Sequence, residues 1–257
     1  FKVVGLEKAD FMCGTTAWSG GWRWIPENPL STEAGISERR GESRKYVETV
    51  MGLSADERVF EFLKNGPAMV DFFRQNTDVQ FLDGNLVPDF HDCEGHALGG
   101  RSVTAAPFDG RKLGKEINRL RAPLSVISVL GMGIAGGQDI KHFFNSMRSL
   151  KSFLYVTKRF SRHMLDLLLY RRGMQLVNGN ALIAGMFSSA IRLGVDIRTS
   201  APVCKLLKNS AGRVIGVAYQ SGDKTIEVMD QQAVVMAAGG ANCCLMVRVA
   251  VHRTFWE

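Results

Sequence analysis

The 257 residues are 46% apolar and 22% charged, the make-up of an ordinary folded protein with one large domain or two modest ones. No apolar run approaches the roughly 18 residues of a membrane span, and residues 1–8 mix acid with base and lack the apolar stretch of a signal peptide. A net charge of +7 admits anionic ligands, lipid headgroups or nucleic acid as partners, so its distribution along the chain must decide among them.

The opening reads as a strand over residues 2–6 that ends on Glu7. A loop rich in Gly, Thr and Ser follows over 13–21. Residues 22–29, Trp-Arg-Trp-Ile-Pro-Glu-Asn-Pro, then predict an extended connection punctuated by proline. Charges are dense from 31 to 51, and 39–50 suits an exposed helix. Residues 55–75 carry Val59, Phe60, Phe62, Leu63, Met69, Val70, Phe72 and Phe73 at helical spacing, with a break predicted at Gly66-Pro67. A short strand is expected over 79–82. Turn formers dominate 84–121, which predicts a long irregular excursion with short strands. Helical patterns return over 139–169 and 180–193, the second capped by Gly194. Five β-branched runs close the chain, over 195–199, 203–208, 214–220, 225–229 and 233–237, separated by turn signals such as Ser221-Gly222-Asp223. The predicted order is helix, strand, a three-strand antiparallel excursion, and a strand ending in Ala237-Ala238-Gly239-Gly240.

The positive charge concentrates between 141 and 172, where Lys141, Arg148, Lys151, Lys158, Arg159, Arg162, Arg171 and Arg172 face Asp166 alone. Aromatics interleave at helical spacing, which predicts an amphipathic helix pair with a solvated basic face and an aromatic core face, and no nucleic-acid partner. Cys13, Cys93, Cys204, Cys243 and Cys244 form no CxxC pair, an odd and scattered set that argues against disulfides or zinc. Thiols packed as small apolar groups in a reducing, cytoplasmic setting are the simpler expectation.

Chemistry enters at Glu7-Lys8. An acid at the end of a strand in a dinucleotide-binding fold accepts hydrogen bonds from ribose hydroxyls. Beyond it runs Gly14-Thr15-Thr16-Ala17-Trp18-Ser19-Gly20-Gly21, in which glycines let backbone N–H groups approach a phosphate or flat ring and hydroxyls add donors. These two features, followed by Trp24-Ile25-Pro26, resemble the FAD-dependent fumarate reductase, succinate dehydrogenase and 3-ketosteroid dehydrogenase flavoproteins, with the GTTA-x-SGG form most like the ketosteroid branch. Pro88-Asp89-Phe90, Gly99-Gly100-Arg101-Ser102, Phe108-Asp109-Gly110-Arg111, Gly179-Asn180-Ala181-Leu182 and the run from Val234 to Gly240 agree with that resemblance.

The resemblance implies an α/β fold of the FAD/NAD(P)-binding, Rossmann-like kind, with a helical excursion and a small antiparallel β excursion. It covers residues 1–240 as a partial FAD-binding domain and leaves 241–257 as an unmatched tail. It implies FAD as cofactor. Glu7 would hold the adenosine ribose with Lys8 beside it, and Gly14, Thr15, Thr16, Ser19, Gly20 and Gly21 would line the pyrophosphate and isoalloxazine. Val203 would meet the adenine through its backbone, and Ala238 with Gly239 would pack against the cofactor. The implied substrate is a small apolar or carboxylate compound, dehydrogenated across a carbon–carbon bond.

Three departures accompany it. The family begins with a strand, a GxGxxG turn and a helix that anchor the pyrophosphate, and the chain is expected to start after that element, with no initiator Met. The cap domain that follows the last strand in the family is expected to be missing, which leaves the chain incomplete as an enzyme. A literal GxGxxG does occur at Gly131-Met132-Gly133-Ile134-Ala135-Gly136, but the acid expected about 20 residues later is absent. A nicotinamide site there, or a non-catalytic binding module using the basic helices of 141–172, are the alternatives. Ketosteroid dehydrogenases also use active-site tyrosines, and beside Pro88-Asp89 this chain carries Phe90-His91, with no phenolic hydroxyl to donate.

Overall fold

The computed structural model describes residues 2–39, 41–52, 56–230 and 232–239. In chain order these form β1 (Val4–Leu6), β2 (Trp22–Trp24), α1 (Pro29–Glu33), α2 (Glu42–Met51), α3 (Glu57–Asn76), β3 (Phe81–Asp83), β4 (Ser102–Ala105) and β5 (Phe108–Asp109). Then follow β6 (Ser128–Val129), β7 (Met132–Gly133), α4 (Gln138–Phe144), α5 (Leu150–Tyr170), β8 (Gln175–Leu176), α6 (Asn178–Arg192), β9 (Asp196–Arg198), β10 (Val203–Lys208), β11 (Val214–Ser221) and β12 (Lys224–Met229). Residues 1–199 and 200–257 are two compact units.

In the first unit β1 pairs in parallel with β9, and β4 lies between β2 and β3 in an antiparallel sheet. β5 pairs with β8 and β6 with β7. The centre is α6, whose Asn-Gly-Asn-Ala-Leu-Ile-Ala-Gly sequence is small or apolar around most of its circumference and is buried accordingly. Leu182, Ala184 and Phe187 pack in one cluster with Val70 of α3, Phe81 of β3, Val103 of β4 and Leu120. The second unit holds the antiparallel meander β10–β11–β12, which agrees with the excursion expected from sequence.

Three expectations are corrected. Helix α3 runs unbroken through Gly66-Pro67. Pro67 gives up one backbone hydrogen bond, but Gly66 sits so close to Ile25 that an added Cβ would lie 3.0 Å from its Cγ2, and burial of this face holds the helix together. Residues 233–237 are in no ladder among the described residues, because an apolar run becomes a strand only where its N–H and C=O groups find partners. The residues from 240 onward, including the tail 241–257, Cys243 and Cys244, lie outside the described residues.

The third correction concerns α5. Lys151, Lys158 and Arg162 are exposed as expected, yet the helix buries Arg159, His163 and Asp166. Each has partners: Arg159 donates to Asp139 and to the Gly133 carbonyl, both at 3.2 Å, and His163 donates from Nε2 to the Leu130 carbonyl at 3.0 Å. Asp166 accepts from Arg111 and from the Met174 backbone. Leu168, 78% exposed, faces outward with Leu154, Leu165 and Leu169. Polar and apolar stripes repeat with the same helical period, so spacing identifies two faces without saying which one turns inward. No helix among the described residues is long and apolar enough to cross a membrane.

Candidate functional site

The Glu7 end of β1 is held by its own backbone: Glu7 N–H donates to the Arg198 carbonyl of β9 at 2.9 Å. One carboxylate oxygen, Oε1, accepts from the Ala9 N–H at 3.0 Å, which fixes the side chain in a turn. Lys8 is exposed beside it. The chain then runs past Met12, whose N–H donates to the Arg119 carbonyl at 2.7 Å. It passes Cys13 in a left-handed conformation and enters a tight helical turn over Thr15–Trp18.

That turn is clamped from two directions. The Asn180 Nδ2 of α6 donates to the Ala17 carbonyl at 3.2 Å and to the Arg121 carbonyl at 2.9 Å. Gly179 N–H donates to the Ser19 carbonyl at 3.0 Å, and Trp18 Nε1 donates to the Ala122 carbonyl at 3.1 Å. Ser19 closes the turn by donating from its hydroxyl to the Thr16 carbonyl at 2.8 Å. The approach is close enough to require glycine. A Cβ on Gly179 would stand 2.0 Å from the Thr16 oxygen, and one on Gly21, itself at φ 72°, would stand 2.6 Å from the Asn178 carbonyl carbon.

The structure therefore divides the sequence-predicted loop residues. Gly14, Thr15, Thr16, Ser19 and Gly20 are exposed, with open space around Gly14, whereas Gly21 is buried against α6. Val203 opens β10 in the second unit and is exposed, as are Ala238 and Gly239, the latter at φ 80°. Asn180 and Gly179 were legible only as part of a recurring motif, without a role. Arg121 carried no signal at all.

Beside the turn lies a cavity of about 440 Å³ whose wall includes Ala17, Ser19, Leu124, Leu130, Leu176 and Arg171. Arg171 closes α5 at φ 58°, is exposed, and its side chain has no ion pair or hydrogen bond among the described residues. Gly131 and Gly133 also belong to this wall. Leu130 at φ 51° and Gly131 at φ 80° form the two-residue turn between β6 and β7, the geometry that suits the twist of a hairpin. The literal GxGxxG is thus a hairpin turn and lacks the strand-to-helix setting that a dinucleotide fingerprint needs.

Pro88-Asp89, Gly99-Gly100-Arg101 and the Trp24-Ile25-Pro26 segment meet elsewhere, in a buried polar cluster. Asp89 accepts from Trp24 Nε1 at 2.7 Å and from Arg101 Nη1 at 2.6 Å, and Arg101 also pairs with Glu38. Phe90 points away from all of this, 96% exposed.

Cys13 adjoins the turn, and burial pushes its thiol up to about 11, with Glu7 raising it further and Arg121 opposing. Below pH 9.0 the stabilisation from keeping this thiol protonated is complete, and it fades as pH rises through about 11. Iodoacetamide at pH 8.5, followed by peptide mass spectrometry, is expected to modify exposed Cys204 well before Cys13. Equal rates would contradict the burial.

The FAD binding domain family matches residues 1–254. The chain belongs to that family. Its cofactor is FAD, and the likeness read from the Glu7–Gly21 motifs is borne out, as is the mixed α/β architecture. The chain is 37% identical over 245 residues to a 4-oxocyclohex-2-ene-1-carboxylate 5-dehydrogenase of Sinomonas cyclohexanicum, covering 93% of this chain and 40% of that protein. It is 26% identical over 249 residues to a 3-oxosteroid 1-dehydrogenase of Comamonas testosteroni, covering 93% and 42%. The crystal structure of 3-ketosteroid delta1-dehydrogenase from Sterolibacterium denitrificans, in complex with 1,4-androstadiene-3,17-dione, superposes with a TM-score of 0.82 at 27% identity. That match covers 97% of this chain and 45% of the other. The chain spans less than half the length of each of these relatives.

The residues present fit the cofactor. Neither the Thr15 nor the Thr16 hydroxyl has a partner among the described residues, the space over Gly14 is open, and Glu7 keeps one carboxylate oxygen unengaged. Hydroxyl donors on an exposed turn suit a diphosphate, and a free carboxylate oxygen at a strand end suits ribose hydroxyls.

Proposed function

We propose that the chain is the FAD-binding part of a flavoprotein dehydrogenase that acts on a carbon–carbon bond next to a ring ketone, in a small alicyclic substrate bearing a carboxylate. The observation that carries this reading is the cavity beside the Thr15–Trp18 turn, which combines apolar walls with Arg171, a cation unpaired among the described residues. Its volume of about 440 Å³ lies in the range usual for small-molecule sites. The identity to a relative that acts on an oxocyclohexene carboxylate, higher than to the 3-oxosteroid dehydrogenase compared above, points the same way.

In this reading Glu7 accepts from the adenosine ribose, Lys8 lies beside it, and Gly14, Thr15, Thr16, Ser19 and Gly20 line the cofactor. Gly21 supports that surface from beneath, by letting the turn seat on α6. Bound FAD supplies the hydride acceptor. Leu124, Leu130 and Leu176 exclude water from the ring of the substrate, and Arg171 orients it through its carboxylate. Phe90 is not in the cavity wall and has no hydroxyl to offer a steroid ketone.

The test is anaerobic reduction of the whole FAD-loaded dehydrogenase that contains this chain, followed through the visible flavin absorbance. A 4-oxocyclohexane or 4-oxocyclohexene carboxylate is expected to bleach the flavin, and a 3-ketosteroid is not. Arg171→Gln is expected to raise the concentration of keto acid needed for half-maximal bleaching by roughly 10- to 100-fold, as loss of one charge-assisted contact implies. Bleaching by the steroid alone, or no effect of Arg171→Gln, would overturn the substrate assignment.

A further inference from the structure

We propose that Arg121 is the cationic contact for the FAD diphosphate. The proposal rests on the FAD reading above and adds to it a residue outside the glycine–threonine loop.

Arg121 is a cation with no anion among the described residues. Its backbone is tied down on both sides: its N–H donates to the Met12 carbonyl at 3.4 Å and its carbonyl accepts from Asn180. Its side chain is only partly solvent-accessible, Nε is buried without a hydrogen-bond partner, and no ion pair or hydrogen bond reaches the guanidinium among the described residues. The guanidinium instead stands 4.9 Å over the Trp18 ring, which holds it on the helical turn it shares with Thr15 and Thr16. A half-buried guanidinium with unfilled N–H groups costs stability unless an anion completes it.

The carboxylate on that side of the molecule does not serve. Glu7 is turned into its own backbone through Ala9, and it makes no ion pair with Arg121 among the described residues. Arg121 N–H meets the carbonyl of Met12, which lies in the segment between Glu7 and the Thr15–Trp18 turn, and its guanidinium lies over Trp18 of that turn. Arg121 is thus tied to the segment that joins the strand end suited to ribose with the turn suited to the rest of the dinucleotide. A diphosphate is the anion whose place falls there. Its paired oxygens match the planar fork of an arginine, and an aromatic ring beneath the guanidinium pre-orients that fork.

The experiment compares parent, Arg121→Met and Arg121→Lys, each stripped of flavin, for affinity towards FAD and towards riboflavin, which lacks the diphosphate. Fluorescence titration is the readout, with the melting temperature of each flavin-free protein alongside. Arg121→Met is expected to weaken FAD binding by roughly 10- to 100-fold and leave riboflavin binding unchanged. Arg121→Lys is expected to fall between, since a point charge replaces a fork. The flavin midpoint potential of the reloaded variants is expected to match the parent, because the diphosphate is remote from the ring.

FAD affinity unchanged in both variants would overturn the proposal, as would equal losses for FAD and riboflavin. A shifted midpoint potential would place the arginine at the ring and overturn the diphosphate assignment. Should Arg121→Met fail to fold, the FAD-to-riboflavin ratio of Arg121→Lys decides alone. A parent protein that binds no FAD would sink the cofactor placement itself, whereas a parent that binds FAD beside indifferent variants would sink only the role of Arg121.

Discussion

Replacing Gly179 with alanine is expected to abolish tight FAD binding while the rest of the first unit still folds. The new Cβ would lie 2.0 Å from the Thr16 carbonyl oxygen and 2.5 Å from Ser19 Oγ. The serine hydroxyl can rotate away, but a backbone carbonyl inside a clamped turn cannot. Either the turn lifts off α6 or the first turn of α6 unwinds. Overpacking of this kind costs about 2–4 kcal/mol. If the loss falls on the cofactor-competent position of Thr15–Trp18, it corresponds to roughly a 100-fold weaker FAD affinity. Gly35→Ala is the control: that glycine has positive φ but open space around its Cβ, so it costs only the local backbone strain of about 1 kcal/mol. Flavin fluorescence titration and urea denaturation of both variants separate the effects. An alanine at 179 that binds FAD like the parent would show that the turn is not the cofactor seat.

Removing the carboxylate of Asp89 is expected to cost the most stability of any single polar change in the first unit. Asp89 and Arg101 have side chains only 2% and 3% exposed, and the Asp89 carboxylate accepts from three donors, Trp24 Nε1, Arg101 Nη1 and the Ala97 N–H, all of which lose their acceptor in Asp89→Ala. Breaking one side of a buried pair leaves the other charge unsolvated, a penalty of about 3–5 kcal/mol. Glu38, the second carboxylate on Arg101, behaves differently. Burial holds its carboxyl above the usual range and outweighs the help from Arg101. A raised value means that its contribution is intact below pH 4.5 and lost as pH rises through the folded value. Glu38→Gln is therefore expected to change stability at pH 7 by less than about 1 kcal/mol. Urea midpoints of the two variants check the contrast, and similar losses would refute it.

These two clusters give the family motifs different jobs. The segments around Trp24, Asp89 and Arg101 meet in a buried network that ties β2 to the loop before β4. Thr15 and Thr16 stay at the surface, and their hydroxyls have no partner among the described residues. A motif match by itself does not distinguish the two, because both need particular polar residues at particular spacings. Saturation does: groups whose hydrogen bonds are satisfied within the chain hold structure, and groups left open can meet a ligand.

Much was legible from residue order alone. The strand ending on Glu7, the glycine–threonine turn, helix α6 with Gly194 just beyond it, and the β10–β11–β12 meander follow from local rules, since each is set by side-chain period and turn chemistry within a few residues. Other features depend on residues far apart in the chain. Gly66-Pro67 stays helical because Ile25 packs against it, and α5 turns Arg159, His163 and Asp166 inward because Asp139, Leu130 and Arg111 wait there as partners. Gly131 belongs to a hairpin because β6 and β7 pair across it. Most of all, the seat of the Thr15–Trp18 turn on Gly179 and Asn180, and the placement of the Arg121 guanidinium over Trp18, join positions more than a hundred residues apart. Composition and period carry no information about such contacts, which exist only once the chain has packed.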